Sequence, residues 1–306
     1  MRIAMSGTPL LAKGSVAAVL EHAAQAAADG FGRYHFAEAP DGGVDLLTTM
    51  AAIGLATPGL ELVTAVVPTW PRHPMVMAQQ ALTVDQLVGG RLTLGIGLSH
   101  APMMADLGLA FERPIKHLSE YLSVLLAVLE AGAVDFTGEL YRCRAKVYNP
   151  PERRIPVLVA ALGEQTLRLA GARTDGATLT WVGPRTIESH VVPTITKAAE
   201  AAGRPAPQIV ASLPVCVTSE PDRMREKARS MWAYAQMPSY RAMYAREGVA
   251  GPGDLVLIGD EAQVRGELAR FAAIGVTEFV AKEFTDRADD AARTHLLLRE
   301  VASSSR

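Results

Sequence analysis

The sequence predicts a single closed (β/α)8 barrel of the TIM type over residues 1–306, and three observations carry that reading. Short β-branched runs alternate with Ala/Leu-rich stretches at helical spacing, the rhythm of repeated βαβ units. The runs number eight, the strand count of this barrel. Most of the helical stretches stop at a glycine, where a left-handed residue past the last turn costs least. No linker or low-complexity stretch separates two halves with their own cores, so one domain is expected.

The expected strands span 2–6, 33–38, 60–67, 92–96, 157–162, 177–181, 209–218 and 278–284. Between the fourth and fifth, Pro114 stands at a first helical position and Gly132 follows the last turn. Ile115, Leu118, Leu122, Leu125 and Leu129 lie between them at helical spacing and form one apolar stripe for the strands to cover. Gly30, Gly59, Gly90, Gly203 and Gly275 likewise part a helix from the next strand.

Two segments break the rhythm. Residues 135–148 read as a β-hairpin turning at Thr137-Gly138, inserted before the fifth strand. Residues 219–254, rich in Met and Tyr and punctuated by Pro and Gly, form a longer insertion after the seventh strand. In a barrel that is the face where active sites are built, and long insertions there often act as lids.

Charge and composition exclude several functions. With 30 basic against 32 acidic side chains and no Lys/Arg run, the chain lacks the footprint of a nucleic-acid binder. Its longest apolar run, 121–129, falls far short of the roughly 20 residues that cross a bilayer. Lys13 and Glu21 interrupt the N-terminal apolar stretch before it resembles a signal peptide, so a cytoplasmic protein is expected. Cys143 and Cys216 are too few for a disulfide framework. No HExxH, GxSxG or GxxxxGK[ST] occurs, which leaves metalloprotease, hydrolase and nucleotide-triphosphatase readings without anchors and no metal expected.

Three segments carry candidate chemistry. In LTLGIGLSH (92–100) a strand runs through Gly95 and Gly97 to Ser99-His100, so backbone can approach a ligand; a tight strand-to-loop turn is the other account. In VLVAALGEQTLRLAG (157–171) Gly163 leads straight into a helix whose N-terminus would face an anion above the barrel, or simply closes a βα loop. In 64–92 a strand end is followed by a Pro-rich turn, His73-Pro74, a helix and Gly89-Gly90-Arg91. Taken alone that segment also reads as scaffold, with Asp85 pairing to Arg91.

Together these segments resemble the bacterial luciferase-like family. Its ordered signature is present as Thr64-Ala65-Val66, the turn from Pro68 to His73-Pro74, LTVDQLVGGR at 82–91, and Gly95–Gly97. RPIKHLSEYLSVLLAVL at 113–129 and IPVLVAALGEQTLRLAGARTDG at 155–176 with Thr180-Trp181 agree. The last two look most like the branch of oxidoreductases that use the deazaflavin coenzyme F420.

The resemblance implies a coenzyme at the C-terminal ends of the strands and a non-prolyl cis peptide at Ala65–Val66. Ala65, Val66 and Val67 would back the ring, while Gly97, Leu98 and Ser99 would line the ribityl and phosphate run. Ala161, Leu162 and Gly163 would offer N–H groups to the phosphate, and Thr180 and Trp181 would close the site. His100 stands where relatives place a proton-transferring carboxylate, and a histidine there can exchange a proton near neutral pH; a loop histidine bonded to backbone is the alternative. Glu38, in His35-Phe36-Ala37-Glu38, is the nearest match to a group the family places beside the ring.

The implied activity is hydride transfer between F420 and a small molecule. Met5, Trp70, Met103, Met104, Trp232, Met237, Tyr240, Met243 and Tyr244 suggest a largely apolar substrate, or else ordinary packing. Two alternatives stay open: a monooxygenase using reduced FMN from a separate reductase, and a non-catalytic flavin-binding barrel. The resemblance also implies a homodimer. His22, His117, His190 and His295 fall on expected helices and read as solvated or capping.

Overall fold

The computed structural model describes residues 1–39, 42–148, 150–231 and 237–304. Its first half runs β1 (Arg2–Ser6), α1 (Val16–Ala28), β2 (Arg33–Phe36), α2 (Leu46–Ala56), β3 (Glu61–Thr64), β4 (Val67–Pro68), α3 (Pro74–Leu87), β5 (Leu92–Gly97), α4 (Ala101–Asp106) and α5 (Pro114–Ala131). A hairpin of β6 (Ala133–Thr137) and β7 (Arg142–Lys146) leads to β8 (Val157–Ala160), α6 (Glu164–Arg173) and β9 (Gly176–Thr180). A short helix, α7 (Pro184–Thr186), continues through a wider turn into α8 (Val192–Ala201). The chain ends with β10 (Gln208–Val217), α9 (Pro221–Met231), α10 (Pro238–Glu247), β11 (Leu257–Gly259), α11 (Glu261–Ala273), β12 (Glu278–Glu283) and α12 (Ala288–Ser303).

Strands β1, β2, β3, β5, β8, β9, β10 and β12 pair in parallel in chain order, and β12 returns to β1 through Arg2↔Glu278 and Ile3↔Phe279. This is the expected eight-stranded barrel. β4 is a short continuation of β3 that pairs with β5, and β11 pairs in parallel with the C-terminal end of β10, Val215–Val217. The run 60–67 is thus not one strand: the chain turns at a cis peptide between Ala65 and Val66 and resumes at Val67. β11 lies just beyond the insertion 219–254, at a place where no strand is expected from the sequence.

Helix ends are set by local chemistry. Ser15, Asp45 and Asp260 cap α1, α2 and α11 by accepting the N–H groups of Ala18, Thr48 and Gln263. Gly132 ends α5 at φ 69° in the left-handed region. The main core lies between strands and helices and holds Met5, Phe36, Leu62, Tyr121, Leu125 and Phe279. Met5 therefore packs outside the barrel wall and not at its mouth. Asp85 is also not paired with Arg91: its carboxylate takes the Arg153 guanidinium and the Leu92 N–H. Arg91 instead donates to the carbonyls of Gly54, Thr57 and Leu60, locking the end of α2.

Candidate active site at the barrel mouth

Alternation along each strand sends every second side chain to the barrel axis. On β12, Phe279 meets Phe271 of α11 and Glu283 meets His295 of α12, so Glu278, Val280 and Lys282 face inward. Val280 joins Ala4, Val63, Leu158 and Val210 in a separate interior cluster. That apolar layer divides the barrel in two.

Below it, Glu278 binds the Arg33 guanidinium at 2.7 Å and the imidazole of His35, with Arg2 at 3.2 Å. Burial pushes the Glu278 carboxyl up, but His35, Arg33 and Arg2 outweigh it and hold it at about 2. Burial, ahead of Glu278, depresses His35. Glu278, Arg33 and Arg2 therefore neutralise one another at the barrel floor, while His35, whose backbone pairs with Val63 of the layer and with Ser6 beyond it, reaches down to Glu278 and leaves its Nδ1 without a partner among the described residues.

Above the layer lies the mouth. On the side of β3, β5 and β8, the half-buried Ala65 and Val66 flank the cis peptide, while Val67 is fully buried behind them. A Cβ at Gly95 would strike the Thr64 carbonyl, and one at Gly97 would lie 2.7 Å from Val66 and 3.0 Å from Ala160. Glycine is required there because the bulge rests directly on β5. Leu98 and Ser99 continue this wall half-buried, Ser99 in the left-handed region at φ 58°. Ala161 is buried, and the Leu162 carbonyl is bonded by His190 at 3.1 Å. Gly163 caps α6 without a side-chain acceptor and has nothing nearer its Cβ position than Thr166 at 3.9 Å.

Around the rim, Arg72 grips Glu38 with one nitrogen 2.8 and 3.0 Å from its two oxygens and reaches Asp45 with another at 2.6 Å. Burial raises the Glu38 carboxyl while Arg72 opposes it. Trp70 stacks on His117 with centroids 3.6 Å apart, and His117 lies between Thr69 at 2.9 Å and Tyr141 at 3.3 Å. His100 faces the ring of Tyr240 on α10 at 5.4 Å, and burial lowers its pKa, which favours the neutral imidazole. Opposite β5, the Lys282 ammonium lies 6.0 Å from the ring of Trp181, which is buried with φ 59°. Thr180, half-buried, ends β9 beside it.

Residues 3–278 match the family model described as luciferase-like monooxygenase. The chain belongs to the luciferase-like monooxygenase family. Among its relatives is an F420-dependent glucose-6-phosphate dehydrogenase of Mycolicibacterium fortuitum, 33% identical over 184 residues, which are 58% of this chain and 55% of that one. The enzyme of the same description from Nakamurella multipartita is 28% identical over 233 residues, 74% of this chain and 67% of its own. The matched region thus spans just over half of the first relative and two thirds of the second. The coenzyme F420-dependent tetrahydromethanopterin reductase of Methanopyrus kandleri shares the fold with a TM-score of 0.84 at 19% identity, covering 100% of this chain and 99% of that one.

A luciferase-like barrel that takes a flat tricyclic ring with a ribityl phosphate needs a bare wall for the ring and free N–H groups for the phosphate. The residues present fit. Ala65, Val66 and Gly97 make the wall without large side chains, and α6 starts at Gly163 with no side chain on its first N–H groups.

Of the residues suggested for the substrate, Met104, Met243 and Tyr244 are buried in the protein, Met103, Trp70, Met237 and Tyr240 are half-buried at the mouth, and Trp232 lies outside the described residues. The expectation of solvated or capping histidines fails at His117 and His190, which are buried because their helix faces turn towards the hairpin and the β8 loop. Arg72 and Lys282 were not anticipated. The signal for Lys282 was present, since Glu278, Val280 and Lys282 alternate along an apolar strand and put two charges on its inner face.

Proposed function

We propose that this protein is an F420-dependent oxidoreductase that exchanges a hydride between C5 of the deazaflavin and a small organic substrate at the barrel mouth. The observation that carries the reading is the wall of Ala65, Val66 and Gly97 beside the uncapped start of α6 at Gly163. The likeness to F420-dependent dehydrogenases supports it.

In this reading Ala65, Val66 and Val67 back the ring, and Gly97, Leu98 and Ser99 follow its chain. Ala161, Leu162 and Gly163 hold the phosphate, and Thr180 and Trp181 close the β9 side. When bound, the coenzyme supplies or accepts the hydride, and the protein supplies orientation and exclusion of water. Burial favours the neutral His100 imidazole, whose ring makes no hydrogen bond among the described residues, so it is available to exchange a proton or to orient a polar group. Glu38 is committed to Arg72 and acts first as a rim brace. Trp70, Met103 and Tyr240 favour an apolar part on the substrate.

The protein works in the cytoplasm as a homodimer in this reading. Leu55 on α2 and Val76 and Leu87 on the adjoining α3 are 61%, 45% and 49% exposed and supply an apolar face for a second copy.

Fluorescence titration with F420 and with FMN, each oxidised and reduced, tests the assignment. Tight F420 binding with weak FMN binding is expected. The reverse preference, with oxygen uptake on reduced FMN, would establish the monooxygenase. Tight F420 binding without turnover on enones, imines, ketones or alcohols would establish a non-catalytic barrel. His100→Ala and Glu38→Ala are both expected to lower turnover.

A further inference from the structure

We propose that Lys282 moves the proton that accompanies hydride transfer, and that the substrate is accordingly a carbonyl–alcohol pair whose oxygen faces β12. This rests on the F420 reading and assigns its reacting group.

Around the barrel β12 stands four strands from β5, so Lys282 faces the Gly97 wall from the opposite side of the mouth. A flat ring held on that wall would leave the space between it and β12 for the substrate, and a substrate oxygen there would meet the Lys282 ammonium.

Among the described residues Lys282 makes no hydrogen bond or ion pair, and its single charged contact is the Trp181 ring at 6.0 Å. Its neighbours explain why. Glu278 is four residues down the strand, about 13 Å at roughly 3.3 Å per residue, beneath the apolar layer and bound by Arg33. Glu283 turns outward to His295, and Asp286 is taken by Arg223 and Lys227. Ser212, on the adjoining β10, donates to the Val280 carbonyl. Lys116 and Lys227, in contrast, both pair with carboxylates. A half-buried ammonium with no anion beside it is costly unless a ligand meets it.

Burial lowers the Lys282 pKa to about 8, so the amine can give and regain a proton near neutral pH. Glu38 lacks this freedom because Arg72 holds it, and His100 lies on the β5 side, with the ring wall.

In the reducing direction, hydride from the reduced deazaflavin forms a C–H bond at the carbonyl carbon, and the carbonyl π pair moves onto oxygen. That oxygen takes a proton from Lys282: an N–H bond breaks and an O–H bond forms. The products are the alcohol, the oxidised deazaflavin once its ring N–H proton has passed to solvent, and a neutral amine that solvent reprotonates. Alcohol oxidation runs the same steps backwards.

The test uses the full chain with F420, a panel of aldehydes and ketones, and the variants Lys282→Arg and Lys282→Met. Competitive acetylation across pH, read by mass spectrometry, should show Lys282 reacting with a midpoint near 8. Both variants should bind F420 like the wild type yet lose about 100-fold or more in kcat, with KM little changed and the pH-profile limb near 8 gone. Near-normal turnover by Lys282→Arg, or an ordinary labelling midpoint for Lys282, would overturn the proposal. So would wild-type protein that binds F420 and reduces no carbonyl, an outcome that leaves the coenzyme assignment standing. Failure to bind F420 at all would instead overturn the assignment on which this rests.

Discussion

The carboxylate of Glu247, in the last turn of α10, accepts the backbone N–H of Thr186 at 2.7 Å and that of Arg185 at 3.1 Å. The long insertion after β10 is thereby fastened to the helix that follows β9. Gly183 makes the approach possible, since a Cβ there would strike the Glu247 carboxyl group. The same helix carries Tyr240 to His100, so the anchor and the rim of the mouth are one rigid piece.

Glu247→Ala removes both acceptors from the start of α7. The loss should resemble that of a helix cap, about 1 kcal/mol. Thermal unfolding should fall by about 2 °C, and hydrogen exchange should rise across 237–251 while the barrel strands keep their protection. Unchanged exchange in 237–251 would show that the insertion is held by other contacts.

Gly163 separates two ways in which a phosphate site can be lost. Its Cβ position is open and its φ is −79°, so both Ala and Pro fit the backbone. Gly163→Ala keeps the N–H and should bind F420 almost normally. Gly163→Pro deletes one charge-assisted hydrogen bond, worth about 1.5–3 kcal/mol, and should weaken F420 binding roughly 10- to 100-fold. Equal affinities for the two variants would remove Gly163 from the phosphate site.

The barrel was legible because each strand is an apolar run bounded by turn residues, and because α5 shows an unbroken stripe from Ile115 to Leu129. The end of β3 was not legible from periodicity. Residues 60–67 have continuous strand character, and the cis bond at Ala65–Val66 follows only from family likeness. Leu257–Gly259 escaped notice because three residues define no period. At the barrel mouth, Gly95 and Gly97 announce close backbone approach, and the structure packs them against Thr64 and Val66, whereas Ala65 and Val66 follow only from family likeness. The rim could not be inferred: Arg72 meets Glu38, and Tyr141 meets His117, across 34 and 24 positions of chain. Such pairs are fixed by how the loops fold over the barrel, which local propensity does not encode.

His295 lies between two carboxylates, 2.7 Å from Glu283 and 2.8 Å from Asp29, and ties β12 and α12 to the end of α1. The bond to Glu283 is the main reason its pKa is raised; burial opposes it and Asp29 adds to it. A histidine held above its ordinary value stabilises the fold fully below pH 6.5 and loses that contribution as pH rises through the folded-state value. Melting temperature should therefore decline from pH 6 towards pH 9, and His295→Gln should be flatter over that window. Parallel profiles for the two proteins would disprove the linkage.

His117 should act in the opposite direction. Burial holds it at about 4, between Thr69 and Tyr141 and stacked on Trp70. Between pH 6.5 and 4 the unfolded chain takes up a proton at this residue and the folded one does not, so acid favours unfolding. At about 1.4 kcal/mol per unit, the full effect is about 3 kcal/mol at most. His117→Phe keeps the stack on Trp70 but leaves the hydroxyls of Thr69 and Tyr141 without their partner, which should cost about 1–3 kcal/mol at pH 7. The variant should then lose less stability than the wild type as pH falls from 6.5 to 4, and the two denaturation curves should converge. A constant gap between them would mean that His117 is protonated in the folded protein, and that a second charge lies under the Trp70 rim of the mouth.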